Sequence, residues 1–163
     1  MIRDAKFGDC PSIHALIREG YERSKYAGKV EINERLMKSF VTTAISRQGQ
    51  KGPGGALVKV AVGKSGATEG FLIGVLQPVY QIGDMLTVTD AMLYVTPDSD
   101  ARHFPGLVKA LDAWAKENPK VYDCEPTISN LILSDEDRER AAKLYERLGY
   151  RRSGAMFSRR IQR

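Results

Sequence analysis

The sequence has few of the residues from which metal sites and disulfide frameworks are built. It contains two cysteines and two histidines among 163 residues. Cys10 and Cys124 belong to no CxxC or Cys/His spacing, so we expect neither a zinc site nor a disulfide framework. His14 and His103 have no further candidate ligands at a useful spacing. We therefore expect no metal, and thiols that are buried or idle.

Long apolar runs are also missing. No segment approaches the roughly 18 to 20 apolar residues that a membrane-spanning helix needs. The segment from Met1 to Asp4 lacks the basic-then-apolar layout of a signal peptide. There is no GxSxG elbow and no P-loop. From these absences we expect a cytoplasmic protein without membrane contact.

The sequence does contain enough apolar material for one core. A 42% hydrophobic content over this length predicts a single domain spanning residues 1–163. The net charge of +5 is unevenly spread, since residues 138–163 hold nine basic residues and two acidic ones. Such a segment could attract phosphates, acidic protein or nucleic acid, although a solvated basic face is the commoner explanation.

Hydrophobic spacing predicts alternating strands and helices in the first part of the chain. A short strand at Ile2 to Ala5 precedes a helix that begins at Asp9-Cys10-Pro11, with Asp9 as the capping carboxylate. A second helix runs from Asn33 to about Ser46, and a glycine-rich loop follows it. The next predicted elements are three antiparallel strands, at Leu57 to Val62, Gly70 to Tyr80 and Met85 to Val95.

The second part continues with alternating elements. A helix is marked by the apolar positions from Leu107 to Ala115 and ends near Asn118-Pro119. The elements after it are a strand at Thr127 to Leu133, a helix with a Ser134/Asp137 capping box that stops at Gly149, and a strand at Ala155 to Ile161. We therefore predict an α/β (α+β) fold, with a mixed, mostly antiparallel central sheet flanked by about four helices.

The segment from Ala141 to Tyr150, Ala-Ala-Lys-Leu-Tyr-Glu-Arg-Leu-Gly-Tyr, has the most distinctive pattern in the chain. Its leucines are placed to pack a helix onto the sheet, Gly149 permits a left-handed stop, and Tyr150 can cover the helix end. The pattern resembles the closing helix motif of the GNAT (Gcn5-related N-acetyltransferase) family. The order of elements is similar to that of the GNAT-like acyl-CoA N-acyltransferase fold.

The resemblance implies a catalytic role for Tyr145. In the family, the tyrosine at this position points at the sulfur of acetyl-CoA and protonates the departing thiolate. A phenol suits that task because its ordinary pKa of about 10 lies slightly above that of a thiol. Packing of an amphipathic helix would explain the same residue, so both interpretations stay open.

A second match is Leu93-Tyr94-Val95-Thr96-Pro97, which is similar to the family's Leu-Ala-Val-x-Pro at the end of the fourth strand. In the family this strand splays from its neighbour, and its backbone groups bind the acetyl carbonyl and the pantetheine amides. The resemblance thus implies that Leu93, Tyr94 and Val95 bind acetyl-CoA through their backbone. A fixed N–H that polarises the carbonyl would stabilise the developing oxyanion.

Asp90 is the candidate general base. Strand alternation predicts that it shares a face with Met92 and Tyr94. Family members often have a strand carboxylate hereabouts that takes a proton from the attacking amine. A cross-strand salt bridge would explain Asp90 as well.

The cofactor motif departs from the family pattern. The family has Arg/Gln-x-x-Gly-x-Gly/Ala before a helix, and its N–H groups grip the coenzyme A pyrophosphate. With Gly106 at the last glycine position, Phe104 replaces the first glycine and Pro105 removes a donor. The residues that we predict to bind acetyl-CoA in this segment are Arg102, His103, Gly106 and Leu107.

Three functions are compatible with these patterns. The first is an N-acetyltransferase that moves the acetyl group of acetyl-CoA to a small-molecule or protein amine, by direct attack in a ternary complex. The second is a catalytically inactive GNAT-fold protein that binds a protein or forms part of a homo-oligomer or larger assembly. Nucleic-acid binding is disfavoured, because strand alternation would divide Arg151-Arg152 and Arg159-Arg160 between two faces and no reader motif is present.

Overall fold

The computed structural model describes residues 1–128 and 135–154. In these ranges the strands are β1 (Ile2–Asp4), β2 (Ala56–Val62), β3 (Thr68–Pro78), β4 (Leu86–Val95) and β5 (Val121–Glu125). The α-helices are α1 (Cys10–Glu22), α2 (Glu34–Ser46), α3 (His103–Lys116) and α4 (Asp135–Arg147). None of the helices in these ranges has the length and apolar character needed to cross a membrane.

The five strands form one sheet in the order β1-β2-β3-β4-β5. The β1–β2, β2–β3 and β3–β4 pairs are antiparallel, and β4–β5 is parallel. The predicted fold class, a mixed and mostly antiparallel sheet with about four helices, is therefore confirmed.

Each face of the sheet is covered by its own helices. Phe71 and Ile73 of β3 are buried in a core that includes apolar residues of α1 and α2. Leu72 and Leu76 are buried in a second core that includes residues of α3, among them Leu111. Successive residues of a strand point to opposite faces, so β3 contributes to both cores.

The start of α1 differs from the sequence prediction. Asp9 lies directly before the helix, but its carboxylate makes no capping bond to it. Instead it accepts hydrogen bonds from the Arg3 guanidinium at 2.7 and 2.8 Å and from the Lys6 N–H at 2.8 Å. The hydrogen-bonded Arg3 lowers the pKa of Asp9. The predicted cap is wrong because a cation on β1 attracts the carboxylate away from the helix.

The last described strand lies earlier in the chain than predicted. β5 occupies Val121–Glu125, whereas Thr127 and Ile128 lie in no strand, so the predicted start at Thr127 is wrong. A register shift leaves Tyr122 without a partner on β4. This extra residue interrupts the alternation of inward and outward side chains from which a strand is predicted. The rest of that prediction, the Ser134/Asp137 capping box and the strand at Ala155 to Ile161 fall outside the described residues.

A β-bulge in β4 changes which side chains reach which face. Asp90 lies opposite Gly74 and Met92 lies opposite Ile73, which leaves Ala91 as the extra residue. A Cβ atom built on Gly74 would lie 2.5 Å from Leu111 Cδ1 of α3. The cross-strand pair of Gly74 and Asp90 therefore faces α3.

The prediction that Asp90 shares a face with Tyr94 is therefore wrong. Leu93 and Val95 pack against the α3 core, whereas Tyr94 belongs to the core under α1 and α2. The additional residue of a bulge reverses the alternation along the strand, and Asp90 lies on the side of α3.

Substitution of Gly74 tests how tightly β3 and α3 pack. We expect Gly74→Ala to lower the free energy of unfolding by about 1–2 kcal/mol, because overpacking against the fully buried Leu111 exceeds the gain from replacing a strand glycine. Urea denaturation measures the loss. Gly52→Ala is the control, since its Cβ would meet no atom within 4 Å. A Gly74→Ala protein as stable as wild type would contradict the packing argument.

Candidate active site

The C-terminal end of α4 fixes the position of Tyr145. Gly149 has a φ of 92° and donates its N–H to the Glu146 carbonyl at 3.0 Å, while the Tyr150 N–H donates to the Tyr145 carbonyl at 3.0 Å. These two bonds form a Schellman motif, which places the side chains of Tyr145 and Tyr150 in contact. The predicted left-handed stop at Gly149 and the covering role of Tyr150 are confirmed.

The Tyr145 side chain lies in an aromatic cluster between α3 and α4. Its ring makes edge contacts with Phe104, at a centroid distance of 6.0 Å, and with Tyr150, at 5.6 Å. The residue is 6% exposed, and its buried hydroxyl has no hydrogen-bond partner in the described part of the chain. Burial raises the pKa of Tyr145, and the nearby charge of Asp90 raises it further. The phenol therefore holds its proton at neutral pH.

Asp90 approaches the same cluster from β4. Its carboxylate accepts hydrogen bonds from the Thr127 N–H at 2.6 Å and from the Thr127 hydroxyl at 3.2 Å. Burial raises the pKa of Asp90, although the bonds from Thr127 act in the opposite direction. Asp90 is thus a stronger base than an exposed aspartate, and its charge is felt at Tyr145. The bulge in β4 turns Asp90 to the α3 side of the sheet, where its charge acts on Tyr145.

Two neighbours of this cluster could not be found from the sequence. Cys124 on β5 is half-buried, and its Sγ accepts a hydrogen bond from the Tyr150 hydroxyl at 3.5 Å. Burial raises the pKa of the Cys124 thiol to about 11. Thr127 was expected in a strand, not as the partner of Asp90. No motif connects either residue to Tyr145, because the contacts join separate elements.

The end of β4 presents backbone groups toward the β5 side. Thr96 donates its N–H to the Glu69 carbonyl at 2.8 Å, which continues the β3–β4 register. Along two antiparallel strands, residue pairs that exchange backbone hydrogen bonds alternate with pairs that do not. The backbone groups of Tyr94 are therefore directed to β3, and those of Leu93 and Val95 point away from it.

β5 does not follow β4 to its end. In the described ranges it pairs with β4 only over Leu86 to Thr89. Within those ranges, β5 therefore leaves the outward backbone groups of Leu93 and Val95 unpaired. This is the strand edge at which the sequence resemblance placed the acetyl carbonyl and the pantetheine arm.

Solved structures with the same architecture cover almost the whole chain. A Trypanosoma brucei acetyltransferase superposes with a TM-score of 0.68 at 16% identity, over 99% of both chains. A ribosomal-protein-alanine N-acetyltransferase from Brucella melitensis gives 0.63 at 16% identity, over 99% of both chains. An aminoglycoside acetyltransferase from a soil metagenome gives 0.65 at 14% identity, over 99% of this chain and 98% of the other.

This chain has the GNAT fold. No protein-family model matches its sequence, and no curated protein matches it significantly. Because the identities are only 14 to 16%, the similarity concerns the fold alone.

At the start of α3, the two residues that we predicted as phosphate ligands have partners within this chain. The Arg102 guanidinium binds Asp100 through two nitrogens, at 2.6 and 2.9 Å. His103 is 4% exposed and directs Nδ1 toward Glu69 Oε2 at 3.3 Å, although the angle is not that of a hydrogen bond. Both predicted phosphate ligands therefore face carboxylates of this chain.

The two other predicted residues of this segment serve packing. A Cβ atom on Gly106 would lie 2.3 Å from Ile2 Cδ1, so the missing side chain lets α3 approach β1. Leu107 is fully buried in the core under α3. Any contact that either makes with acetyl-CoA would have to come from its backbone, and their binding role stays a prediction.

Tyr94 has a structural role on the opposite face of the GNAT sheet. Its hydroxyl donates a 2.8 Å hydrogen bond to Glu19 Oε1 of α1. Burial, and then this bond to the carboxylate, raises the pKa of Tyr94 to about 12. The side chain thus ties β4 to α1.

We expect Tyr94→Phe to lower the free energy of unfolding by about 1 kcal/mol, because it removes one partly buried hydrogen bond to a carboxylate. Thermal or urea unfolding of the purified variant measures this. Tyr122→Phe serves as the control, since Tyr122 is 76% exposed and its replacement should change stability by less than about 0.5 kcal/mol. Equal stabilities for the two variants would show that the Tyr94–Glu19 bond contributes nothing.

Proposed function

We propose that this protein is an N-acetyltransferase that moves the acetyl group of acetyl-CoA to a primary amine by direct attack. The observation that carries the proposal is the buried Tyr145 hydroxyl, which has no partner among the described residues and lies near enough to Asp90 to experience its charge. A buried hydroxyl without a hydrogen-bond partner lowers the stability of the fold by about 1–3 kcal/mol. The Tyr145 hydroxyl therefore does not stabilise the fold unless a ligand supplies the missing partner. The acetyltransferases that share the fold support the same activity.

The acyl end of acetyl-CoA fits the residues present. The outward backbone groups of Leu93 and Val95 would hold the acetyl carbonyl and the first pantetheine amide. An N–H fixed in a strand stabilises the oxyanion that forms during attack, because it needs no reorganisation. Tyr145 would face the sulfur atom. The thioester carbonyl is the electrophile that acetyl-CoA supplies.

Asp90 and Tyr145 would divide the proton transfers between them. The carboxylate of Asp90 accepts the proton that the amine loses as its nitrogen bonds to the carbonyl carbon. Tyr145 donates its phenolic proton to the sulfur as the carbon–sulfur bond breaks and the electron pair passes to sulfur. Asp90 then returns a proton to Tyr145, so the products are an amide and a free thiol and the enzyme is unchanged.

The Cys124 thiol shows how burial in this cluster affects a thiol. Cys124 lies beside Tyr150 in the same cluster, and burial raises its pKa to about 11. A departing thiolate in this environment would be similarly disfavoured, because it loses the same solvation. A protonated phenol with its own raised pKa can therefore still serve as the acid.

The test combines binding with turnover. Calorimetry with acetyl-CoA should show binding, and a panel of primary amines should yield an acetylated product with release of free thiol. The panel should include an alanine-containing ribosomal-protein peptide and an aminoglycoside, since two proteins with this fold are named for ribosomal-protein alanine and for aminoglycosides. No binding at millimolar acetyl-CoA would refute the enzyme and leave the inactive, protein-binding GNAT-fold alternative.

A further inference from the structure

The helix end that would hold the pyrophosphate has almost no free amide groups. The His103 N–H donates to the Asp100 carbonyl at 2.8 Å, and the Gly106 N–H donates to the Arg102 carbonyl at 3.0 Å. Pro105 has no N–H. Among the first four residues of α3, only Phe104 retains an N–H that no described group accepts. A helix N-terminus binds anions through such free N–H groups, so this one offers a single donor.

The side chains around this helix end add negative charge. Asp98 is exposed, and Asp100 accepts hydrogen bonds from both the backbone and the guanidinium of Arg102. Arg102 holds the pKa of Asp100 well below its ordinary range, so this carboxylate is fully ionised. If Arg102 turned toward a phosphate, the charge of Asp100 would remain beside it and offset the attraction.

The acyl end and the nucleotide end of the donor site thus differ in their fit. The β4 edge and Tyr145 suit a thioester on a pantetheine arm, whereas the start of α3 does not suit a pyrophosphate. We infer that the enzyme recognises its donor as an acyl-pantetheine thioester, and that the nucleotide half of coenzyme A contributes little to binding or turnover. This inference rests on the proposed acetyltransferase function.

The first experiment compares acetyl-CoA with S-acetylpantetheine on the same amine acceptor. We expect the two kcat/KM values to differ by less than about thirtyfold, which corresponds to about 2 kcal/mol. A single charge-assisted hydrogen bond is worth about ten- to a hundredfold, so an intact cradle with several would exceed that ratio. A larger preference for acetyl-CoA overturns the inference but leaves the acetyltransferase in place. Absence of turnover with both donors refutes the proposed function and the inference with it.

Binding provides a readout that does not depend on turnover. Calorimetry with coenzyme A and with pantetheine should give dissociation constants within the same thirtyfold range, which is about 2 kcal/mol. ADP should show no binding at millimolar concentration. Measurable binding of ADP would overturn the inference, because it would show that the pyrophosphate is recognised without the pantetheine arm.

A matched pair of variants tests the physical cause. Asp100→Asn removes the negative charge that pairs with the Arg102 guanidinium. We expect this change to raise the preference for acetyl-CoA over S-acetylpantetheine by about tenfold. Glu34→Gln is the control. The Glu34 carboxylate accepts hydrogen bonds from two guanidinium nitrogens of Arg18, at 2.7 and 3.0 Å, on the opposite face of the sheet. Its removal should leave the preference unchanged. An unchanged preference in Asp100→Asn, or an equal rise in both variants, overturns the explanation.

Discussion

Tyr145→Phe is expected to lower kcat by about 10²- to 10⁴-fold, the usual contribution of a positioned acid or base. In the proposed mechanism the phenol protonates the leaving sulfur, and phenylalanine keeps the ring contacts with Phe104 and Tyr150. The rate of thiol release at saturating acetyl-CoA and amine measures the effect.

The same variant should not lose stability. The Tyr145 hydroxyl is buried without a partner in the described residues, so its removal deletes an unsatisfied polar group. We expect a melting temperature equal to or above that of wild type. Tyr122→Phe, on the exposed side of β5, should match wild type in both measurements. A Tyr145→Phe enzyme with nearly full kcat would exclude the phenol as the acid, and a marked loss of stability would show that the hydroxyl has a structural partner.

Asp90→Asn should lower kcat/KM by about a hundredfold or more, because the amide cannot accept the proton of the attacking amine. Asparagine can still accept the hydrogen bond from the Thr127 N–H, so the local structure should persist. In wild type the rate should increase with pH through a pKa above the ordinary aspartate value of 3.8, since burial raises it. The variant should lose this dependence. Steady-state rates across that pH range test both expectations.

The free energy of unfolding should change with pH in the direction opposite to that of the rate. Because the folded pKa of Asp90 is raised, the folded state binds more protons than the unfolded state between the ordinary pKa and the raised one. The free energy of unfolding therefore falls as pH rises through this window. Asp90→Asn stays neutral and removes that loss, so it should be at least as stable as wild type at neutral pH. Asp84→Asn, in the exposed β3–β4 turn, is the control. If the rate of the wild-type enzyme depends on low pH in the same way as the rate of Asp90→Asn, Asp90 does not act in the mechanism.

The sequence predicted correctly the stop of α4 and most elements of the first part of the chain, which depend on local interactions. The stop of α4 depends on a glycine that can adopt a positive φ and on bonds that reach only to the next turn, so the motif from Ala141 to Tyr150 predicted it. The apolar spacing of α1, α2 and the β2–β4 meander is likewise a property of each segment alone, and these elements formed close to their predicted bounds.

The candidate site was only partly predictable for the same reason. Tyr145 and Asp90 were chosen from a family resemblance, but the sequence placed Asp90 on the wrong face of β4. The bulge at Ala91 arises from pairing with β3, which no window of β4 alone contains. Cys124 and Thr127 reach the cluster from β5 and the segment after it, so neither could be recognised before the chain was folded.

Local residue patterns alone specify the elements from α1 to β4, the helix stop at Gly149 and the lack of a standard glycine pattern before α3. The packing of distant segments places Asp90 on the α3 side of the sheet, joins Tyr94 of β4 to α1, and pairs Arg102 and His103 with carboxylates. Those outcomes depend on which strand lies beside which and on charges brought together from distant segments. Local propensity cannot specify them, because each requires the energy of contacts that exist only in the folded chain.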